Sequence, residues 1–204
     1  MRDSLPVVVG ITGASGALYA DRLLRHLGKA KIPSPVVASK WGRYLLNHEL
    51  GLELGKSPQE TLRARYGPHL TWQPSTDMSA GIASGTHKTQ GMVIIPCSMG
   101  SLGHIAHGVT ANLLHRAADV TIKEGRPLVV VPRETPLSPI HLENLLTLSR
   151  FGATIVDANP TFYQGVESVE DLVDSVVARV LDALGIVHSL LPPWGLPTEI
   201  SKDA

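Results

Sequence analysis

The feature that most constrains this chain is an apolar run near its start that leads into a turn of small residues. Residues 7–11 (VVVGI) are mostly β-branched, which is typical of a buried strand. Residues 13–16 (GASG) follow, and residues 17–27 then show the spacing of an amphipathic helix. Backbone amides at such a turn and the positive end of the helix favour an anion, so the pattern predicts a phosphate-bearing ligand. The glycines do not form a G-x-G-x-x-G motif and no P-loop lysine follows, so a tight turn without a ligand remains an alternative.

Composition indicates one ordinary globular domain. The 204 residues carry no formal net charge, which argues against a broad nucleic-acid surface. A single cysteine, Cys97, excludes an intramolecular disulfide framework. No signal peptide and no apolar stretch of membrane-spanning length is evident. We therefore expect a soluble cytoplasmic protein that binds neither nucleic acid nor membrane, with one α/β domain over 1–188 and an extended tail over 189–204.

Strand-like and helix-like segments alternate along the chain. Further strands are predicted at 36–38, 91–96, 128–131 and 153–156, with a helix over 102–124 interrupted near Gly108, while 67–81 gives no clear pattern. This alternation predicts a three-layer αβα fold with a mainly parallel sheet. Ser15, Ser39, Ser98 and Arg133 each come just after a predicted strand. Since ligands bind at the carboxyl ends of parallel strands, these four side chains are expected to share one site.

Two further motifs invite a chemical interpretation. Arg133-Glu134 stands between two prolines, and an arginine there suits bidentate phosphate binding while the glutamate suits proton transfer. A structural Arg–Glu pair is the alternative. His104 and His107 have a spacing compatible with a metal, but no third ligand is evident, so a surface or subunit contact is favoured and no metal is expected.

Longer motifs carry a resemblance to a known family. They are GITGASGALYADRLL, the Ser39-Lys40 pair, IASGT, VIIPCSMGSL, NLLHRAADVTIKEGRPLVVVPRETPLSPIHLENLL, GATIV, PTFYQG and SVEDLVDSVVARVLDALGI. Together they closely resemble the flavin prenyltransferases of the UbiX type and their decarboxylase-associated Pad relatives. The resemblance runs from about Val7 to Trp194.

The resemblance implies a metal-independent prenyltransferase. Such enzymes join a dimethylallyl group from dimethylallyl monophosphate to N5 and C6 of reduced FMN. The product, prenylated FMN, serves a partner decarboxylase. The family also implies a Rossmann-like fold and a homo-oligomer, often a dodecamer, with the active site where subunits meet.

The resemblance also assigns roles to individual residues. FMN binding is expected at Gly13, Ala14, Ser15, Ser39, Ser98, Met99, Gly100, Ser101 and Arg133. Catalytic roles are expected for Ser15, Glu49, Lys123 and Glu134, with Glu134 as the acid/base residue beside the leaving phosphate. Arg116, Lys123, Tyr163 and Arg179 are expected to bind the donor phosphate, and Trp194 to close over the ligand. Simpler readings remain for three of them: a solvated lysine at 123, a packed tyrosine at 163, and an arginine at 179 that only pairs with a carboxylate.

Some positions depart from the family pattern, namely Met78, Gly125, Gln164, Gly165 and Val166. They border the expected phosphate pocket, so they bear on rate or donor preference.

Two other functions remain open: a non-catalytic flavin-binding subunit of an aromatic-acid decarboxylase, and a flavin-dependent enzyme of the peptidyl-cysteine decarboxylase type. The second lacks support because that group's signature histidine and asparagine-methionine motif are missing.

Overall fold

A six-stranded parallel sheet forms the centre of the protein. The computed structural model describes residues 5–163 and 165–191. The strands lie in the order β3-β2-β1-β4-β5-β6, and each neighbouring pair is parallel. They are β1 (Val7–Ile11), β2 (Ser34–Ala38), β3 (Leu70–Trp72), β4 (Gly91–Cys97), β5 (Leu128–Pro132) and β6 (Thr154–Ile155). The chain changes direction across the sheet between β1 and β4, and in such folds this is where a ligand crevice forms.

Helices cover both faces of the sheet. They are α1 (Ala17–Lys29), α2 (Lys40–Leu50), α3 (Pro58–Tyr66), α4 (Met99–Ala106), α5 (Leu113–Lys123), α6 (Pro139–Arg150) and α7 (Val169–Ala183). Alternate strand residues enter separate cores: Val9 packs on the side of α1 and α7, and Val8 on the side of α4 and α5. The predicted three-layer αβα fold with a parallel sheet is thus confirmed.

A buried carboxylate joins two helices of the first layer. Asp21 of α1 is 3% exposed and accepts hydrogen bonds from Arg25, Arg65 and the Tyr66 hydroxyl. Burial on its own would raise the pKa of Asp21, but these three donors outweigh it and lower the pKa below its usual value. The cluster fixes α3 against α1.

The edge strand β3 was missed from the sequence. It is only three residues long, and among these only Leu70 is fully buried. The Gln59 side chain binds the backbone groups of β3 that face away from β2. Its Nε2 donates to the Leu70 oxygen at 3.0 Å, and its Oε1 accepts from the Trp72 amide at 2.7 Å. A strand this short leaves little alternation to detect.

The helix predicted over 102–124 is two helices. α4 begins earlier, at Met99, and ends at Ala106; Gly108 then takes a φ of 67°, and Asn112 caps α5 by accepting from the His115 amide. The expected interruption is therefore a full break of several residues. Within 5–163 and 165–191, no helix is both long and apolar enough to cross a bilayer. Trp194 and most of the expected tail lie outside the described residues.

Candidate functional site at the carboxyl edge of the sheet

The loops that follow β1, β2, β4 and β5 meet at one edge of the sheet, because these strands are neighbours and all parallel. Ser15, Ser39, Ser98 and Arg133 lie in these loops or at the helix starts that follow them. Thr12 fastens the edge at its centre: its hydroxyl donates to the Pro96 oxygen at 2.9 Å and accepts from the Ser98 amide at 2.7 Å. The structure therefore brings the four sequence-predicted positions to one edge.

In the β1–α1 turn, a carboxylate of the same chain occupies the helix N-terminus. Glu49, in the last turn of α2, accepts from the Gly16 amide at 3.0 Å and the Ala17 amide at 2.7 Å. Gly16 has a φ of 115°, a conformation that favours glycine. The turn thus stabilises an anion, and in this structure that anion is the Glu49 carboxylate, beside the exposed Ser15. The phosphate-bearing ligand expected from the sequence stays a prediction.

Helix α2 reaches this turn because two glycines let it approach closely. A Cβ on Gly42 would lie 2.4 Å from the Ile11 oxygen, and a Cβ on Gly13 would lie 2.4 Å from Trp41 Cβ. A side chain at either position would force α2 away from the end of β1. Nothing in the residue pattern marks Gly42 as a packing position, so it was not singled out from the sequence.

Two serines of the edge cap helices with their side chains. Ser39 Oγ accepts from the Gly42 amide at 3.0 Å, and Ser98 Oγ accepts from the Ser101 amide at 3.4 Å. Since each oxygen acts as an acceptor here, its hydroxyl hydrogen remains able to donate to a ligand. A Cβ on Gly100 would meet nothing within 4 Å, so the start of α4 is open on that side.

Arg133 and Glu134 do not pair with each other. Arg133 Nε donates to the Ser15 oxygen at 2.9 Å, which joins the ends of β5 and β1. The exposed Glu134 carboxylate accepts from the amide of Thr135 at 3.1 Å. The alternative of a structural Arg–Glu pair is therefore wrong. Among the described residues the guanidinium makes no other side-chain hydrogen bond, so its remaining donors can reach an anion.

Lys123 lies at the other end of the sheet within one chain. It is the last residue of α5, which runs back towards the amino end of β5, whereas Glu134 follows the carboxyl end. The five residues of β5 span about 16 Å at the usual rise per residue. Lys123 Nζ pairs with Glu124 at 3.1 Å and is half-exposed. One chain alone therefore does not place Lys123 beside Glu134.

The other expected phosphate ligands also have partners of their own. Arg116 donates to the Ala83 oxygen and pairs with Asp119 at 2.7 Å. Arg179 lies on an exposed face of α7 and pairs with Asp182 at 3.0 Å. Within one chain it therefore forms the ion pair with a carboxylate that was the simpler alternative. Tyr163 lies exposed in the loop between β6 and α7.

One departure from the family pattern has a local explanation. Gly125 has a φ of 64°, its amide donates to the Ile122 oxygen, and the Arg126 amide donates to the Thr121 oxygen. This is a Schellman ending of α5, in which glycine is the favoured residue. A basic residue at this position would have to adopt a left-handed conformation.

The histidine pair of α4 makes contacts with protein groups. His104 Nδ1 lies 2.7 Å from the Gly100 oxygen, and His107 Nε2 lies 3.0 Å from Asn144 Oδ1 of α6. Within the described part of the chain, no group of three or more potential ligands could hold a metal ion. Cys97 is fully buried, which raises the pKa of its thiol to about 12 and agrees with a packing role.

Comparisons with known proteins find similar sequences and structures over most of the chain. The family described as Flavoprotein matches residues 1–181. A flavin prenyltransferase UbiX from Halalkalibacterium halodurans is 47% identical over 189 residues, which cover 92% of both chains. The crystal structure of a dodecameric FMN-dependent UbiX-like decarboxylase from Escherichia coli O157:H7 superposes with a TM-score of 0.83 at 41% identity, covering 93% of this chain and 99% of that one. The structure of AnUbiX (PadA1) in complex with FMN and dimethylallyl pyrophosphate gives a TM-score of 0.84 at 36% identity, covering 94% and 97%.

The likeness to peptidyl-cysteine decarboxylases is more distant. The structure of the decarboxylase EpiD superposes with a TM-score of 0.58 at 13% identity, over 88% of this chain and 97% of that one. Similarity at this level concerns the fold alone.

Proposed function

This chain belongs to the flavoprotein family and, within it, to the flavin prenyltransferases of the UbiX type, and we propose that it transfers a dimethylallyl group from dimethylallyl monophosphate to N5 and C6 of reduced FMN. The observation that carries the proposal is the assembly of the β1–α1 turn, the Ser39 and Ser98 helix caps and Arg133 at one edge. The serine hydroxyls, the first amides of α4 and the Arg133 guanidinium offer donors to a flavin phosphate and to flavin carbonyl oxygens.

The residues present fit FMN. Gly13, Ala14 and Ser15 would lie along the flavin, and the Ser98–Ser101 turn would bind it at the open side next to Gly100. When bound, reduced FMN supplies the two nucleophilic positions, N5 and C6. The product, prenylated FMN, would then pass to a decarboxylase that depends on it.

Two carboxylates would handle the protons of the reaction. The carbon–oxygen bond of the donor would break, the phosphate would leave with the bonding electrons, and N5 would bond to the allyl carbon and lose its proton. A proton would then add to the double bond of the attached group, and C6 would bond to the resulting tertiary carbon and lose its own proton. Glu134, which is exposed at the edge, would exchange a proton with the leaving phosphate. Glu49, held by the amides of Gly16 and Ala17 beside Ser15, would act at the reacting centre of the flavin.

The donor phosphate would be bound by side chains from neighbouring subunits. Lys123 lies at the far end of β5 from Glu134, so a site that uses both needs a second chain. Arg116, Tyr163, Arg179 and Trp194 would complete the set. The dodecameric relative supports a dodecamer of this chain. A single cysteine that is free and buried suits a reducing cytoplasm, where we expect the chain to act.

The test is direct. The purified protein is incubated without oxygen with reduced FMN and dimethylallyl monophosphate, and a parallel sample receives dimethylallyl pyrophosphate instead. The mass of the flavin released from each sample is measured by mass spectrometry. A mass gain of one isoprene unit is expected with a donor and none without it. Bound but unmodified flavin would instead support a non-catalytic flavin-binding subunit. Loss of carbon dioxide from a peptidyl cysteine would support the cysteine decarboxylase alternative.

A further inference from the structure

The side chain of His115 lies buried beneath the first turn of α4. It is 5% exposed, and its Nε2 lies 3.3 Å from Oγ of Ser101, which is also buried. The imidazole ring stacks on that of His104, with centroids 4.8 Å apart. His115 therefore touches the turn that is proposed to bind FMN without lying on its surface.

The surroundings of His115 determine where its proton sits. Nδ1 is buried and has no hydrogen-bond partner among residues 5–163 and 165–191. A buried N–H without an acceptor is more costly than a lone pair without a donor, so the proton belongs on Nε2, facing Ser101. Burial, together with the neighbouring His104, lowers the pKa of His115 to about 4, so the ring carries a single proton at neutral pH.

This proton decides the direction of the Ser101 hydroxyl. If Nε2–H donates to Ser101 Oγ, the serine cannot donate back to the imidazole, and its own hydrogen must point elsewhere. The described part of the chain offers Oγ no other hydrogen-bond partner. The neighbouring Gly100 has open space beside it, so a ligand can approach this turn of α4 from that side.

We propose that His115 is a positioning residue for the flavin, because it holds the Ser101 hydroxyl as a donor towards an acceptor atom of bound FMN. The inference rests on the proposed function only in that this turn binds FMN. A phosphate oxygen or a flavin carbonyl has lone pairs and no hydrogen to give, so a serine fixed as a donor complements it. A serine hydroxyl that donates its hydrogen to the buried imidazole has no hydrogen left for that ligand acceptor.

The experiment is a double-mutant cycle on FMN affinity, measured with the full-length protein by quenching of flavin fluorescence. The variants are Ser101→Ala, His115→Leu, His115→Phe and the pair Ser101→Ala/His115→Leu. His115→Gln replaces Nε2–H by an amide donor, and His107→Leu, on α4 but bound to Asn144, is the matched control. Thermal melting without FMN shows which variants fold, and the phenylalanine variant serves if the leucine variant does not.

One lost hydrogen bond corresponds to about a 5–10-fold weaker affinity. We expect that loss for Ser101→Ala and for His115→Leu or Phe, no further loss in the double variant, and recovery to within about twofold in His115→Gln. Unchanged affinity in the leucine and phenylalanine variants, additive losses in the double variant, or no recovery with glutamine would each overturn the inference. Prenylated flavin is assayed separately on the unmutated protein, so failure of the proposed function is distinguishable from failure of this one.

Discussion

Gly42 offers the sharpest test of how the edge is built, because it lets α2 lie against the end of β1. In Gly42→Ala the new Cβ would start 2.4 Å from the Ile11 oxygen, whereas ordinary contact begins at 3.4 Å. The first turn of α2 would therefore retreat by about 1 Å, since packed backbone has little free volume. That movement would lengthen the hydrogen bond from the Ser39 amide to the Ile11 oxygen, now 2.9 Å. It would also move Glu49 away from the α1 amides.

These changes convert into a stability loss. Overpacking costs about 1–3 kcal/mol, weakening the hydrogen bonds costs about 1.5–3 kcal/mol, and the better helix propensity of alanine returns about 1 kcal/mol. The free energy of unfolding should therefore fall by about 1.5–5 kcal/mol, and Tm by about 3–20 °C for a chain of this length. Differential scanning calorimetry without FMN measures both.

Gly100→Ala is the matched control for stability. Gly100 also lies in the first turn of an edge helix, but its Cβ would meet nothing within 4 Å. Its Tm should equal that of the parent or rise slightly, because alanine favours a helix. If Gly42→Ala melts together with Gly100→Ala, the close approach of α2 does not stabilise the edge and the reasoning is refuted.

Three further predictions concern catalysis, assembly and pH. Glu134→Gln should keep FMN bound but slow product formation by at least about 100-fold; a parental rate by mass spectrometry would remove the acid/base role. Lys123→Ala and Glu134→Gln should each be inactive alone but regain activity when their subunits are mixed and reassembled, and no recovery in verified mixed oligomers would place both residues in one chain's site. Asp21→Asn should lower the free energy of unfolding at neutral pH. Because the pKa of Asp21 is lowered on folding, its contribution is complete above the unfolded value near 4 and is lost as the pH falls through the folded value. Urea titrations of both proteins at several pH values should therefore converge in acid, and a gap that persists there would contradict the assignment.

The sheet and the edge could be predicted because each is encoded locally. The run at 7–11 is followed by glycines and a helical period, so strand, turn and helix are each recognisable within a few residues. Parallel pairing then follows from the alternation of elements and places Ser15 and Arg133 on the same side of the sheet. No long-range information was needed for either result.

Other features depend on contacts that are distant in the sequence. Glu49 binds the α1 amides from 32 and 33 residues away, and nothing in residues 40–50 indicates that partner. His115 stands among Leu113, Leu114 and Ala117 on a buried helix face, and a histidine in such a place is the one signal that could have drawn attention to it. The ion pair of Lys123 with the adjacent Glu124 is local in the sequence, whereas the proposed role of Lys123 in a site shared with a second chain depends on how copies assemble.

Gln59 has a consequence for how copies of this protein can associate. The unpaired backbone groups of an exposed edge strand can bind an extended segment of another molecule, which then becomes an additional strand of the sheet. At β3 such pairing is blocked, because the Gln59 side chain already accepts from the outward N–H of Trp72 and donates to the outward carbonyl of Leu70. Oligomers that form on this flank must therefore assemble through helix surfaces and loops, which leaves the central sheet of each subunit unchanged.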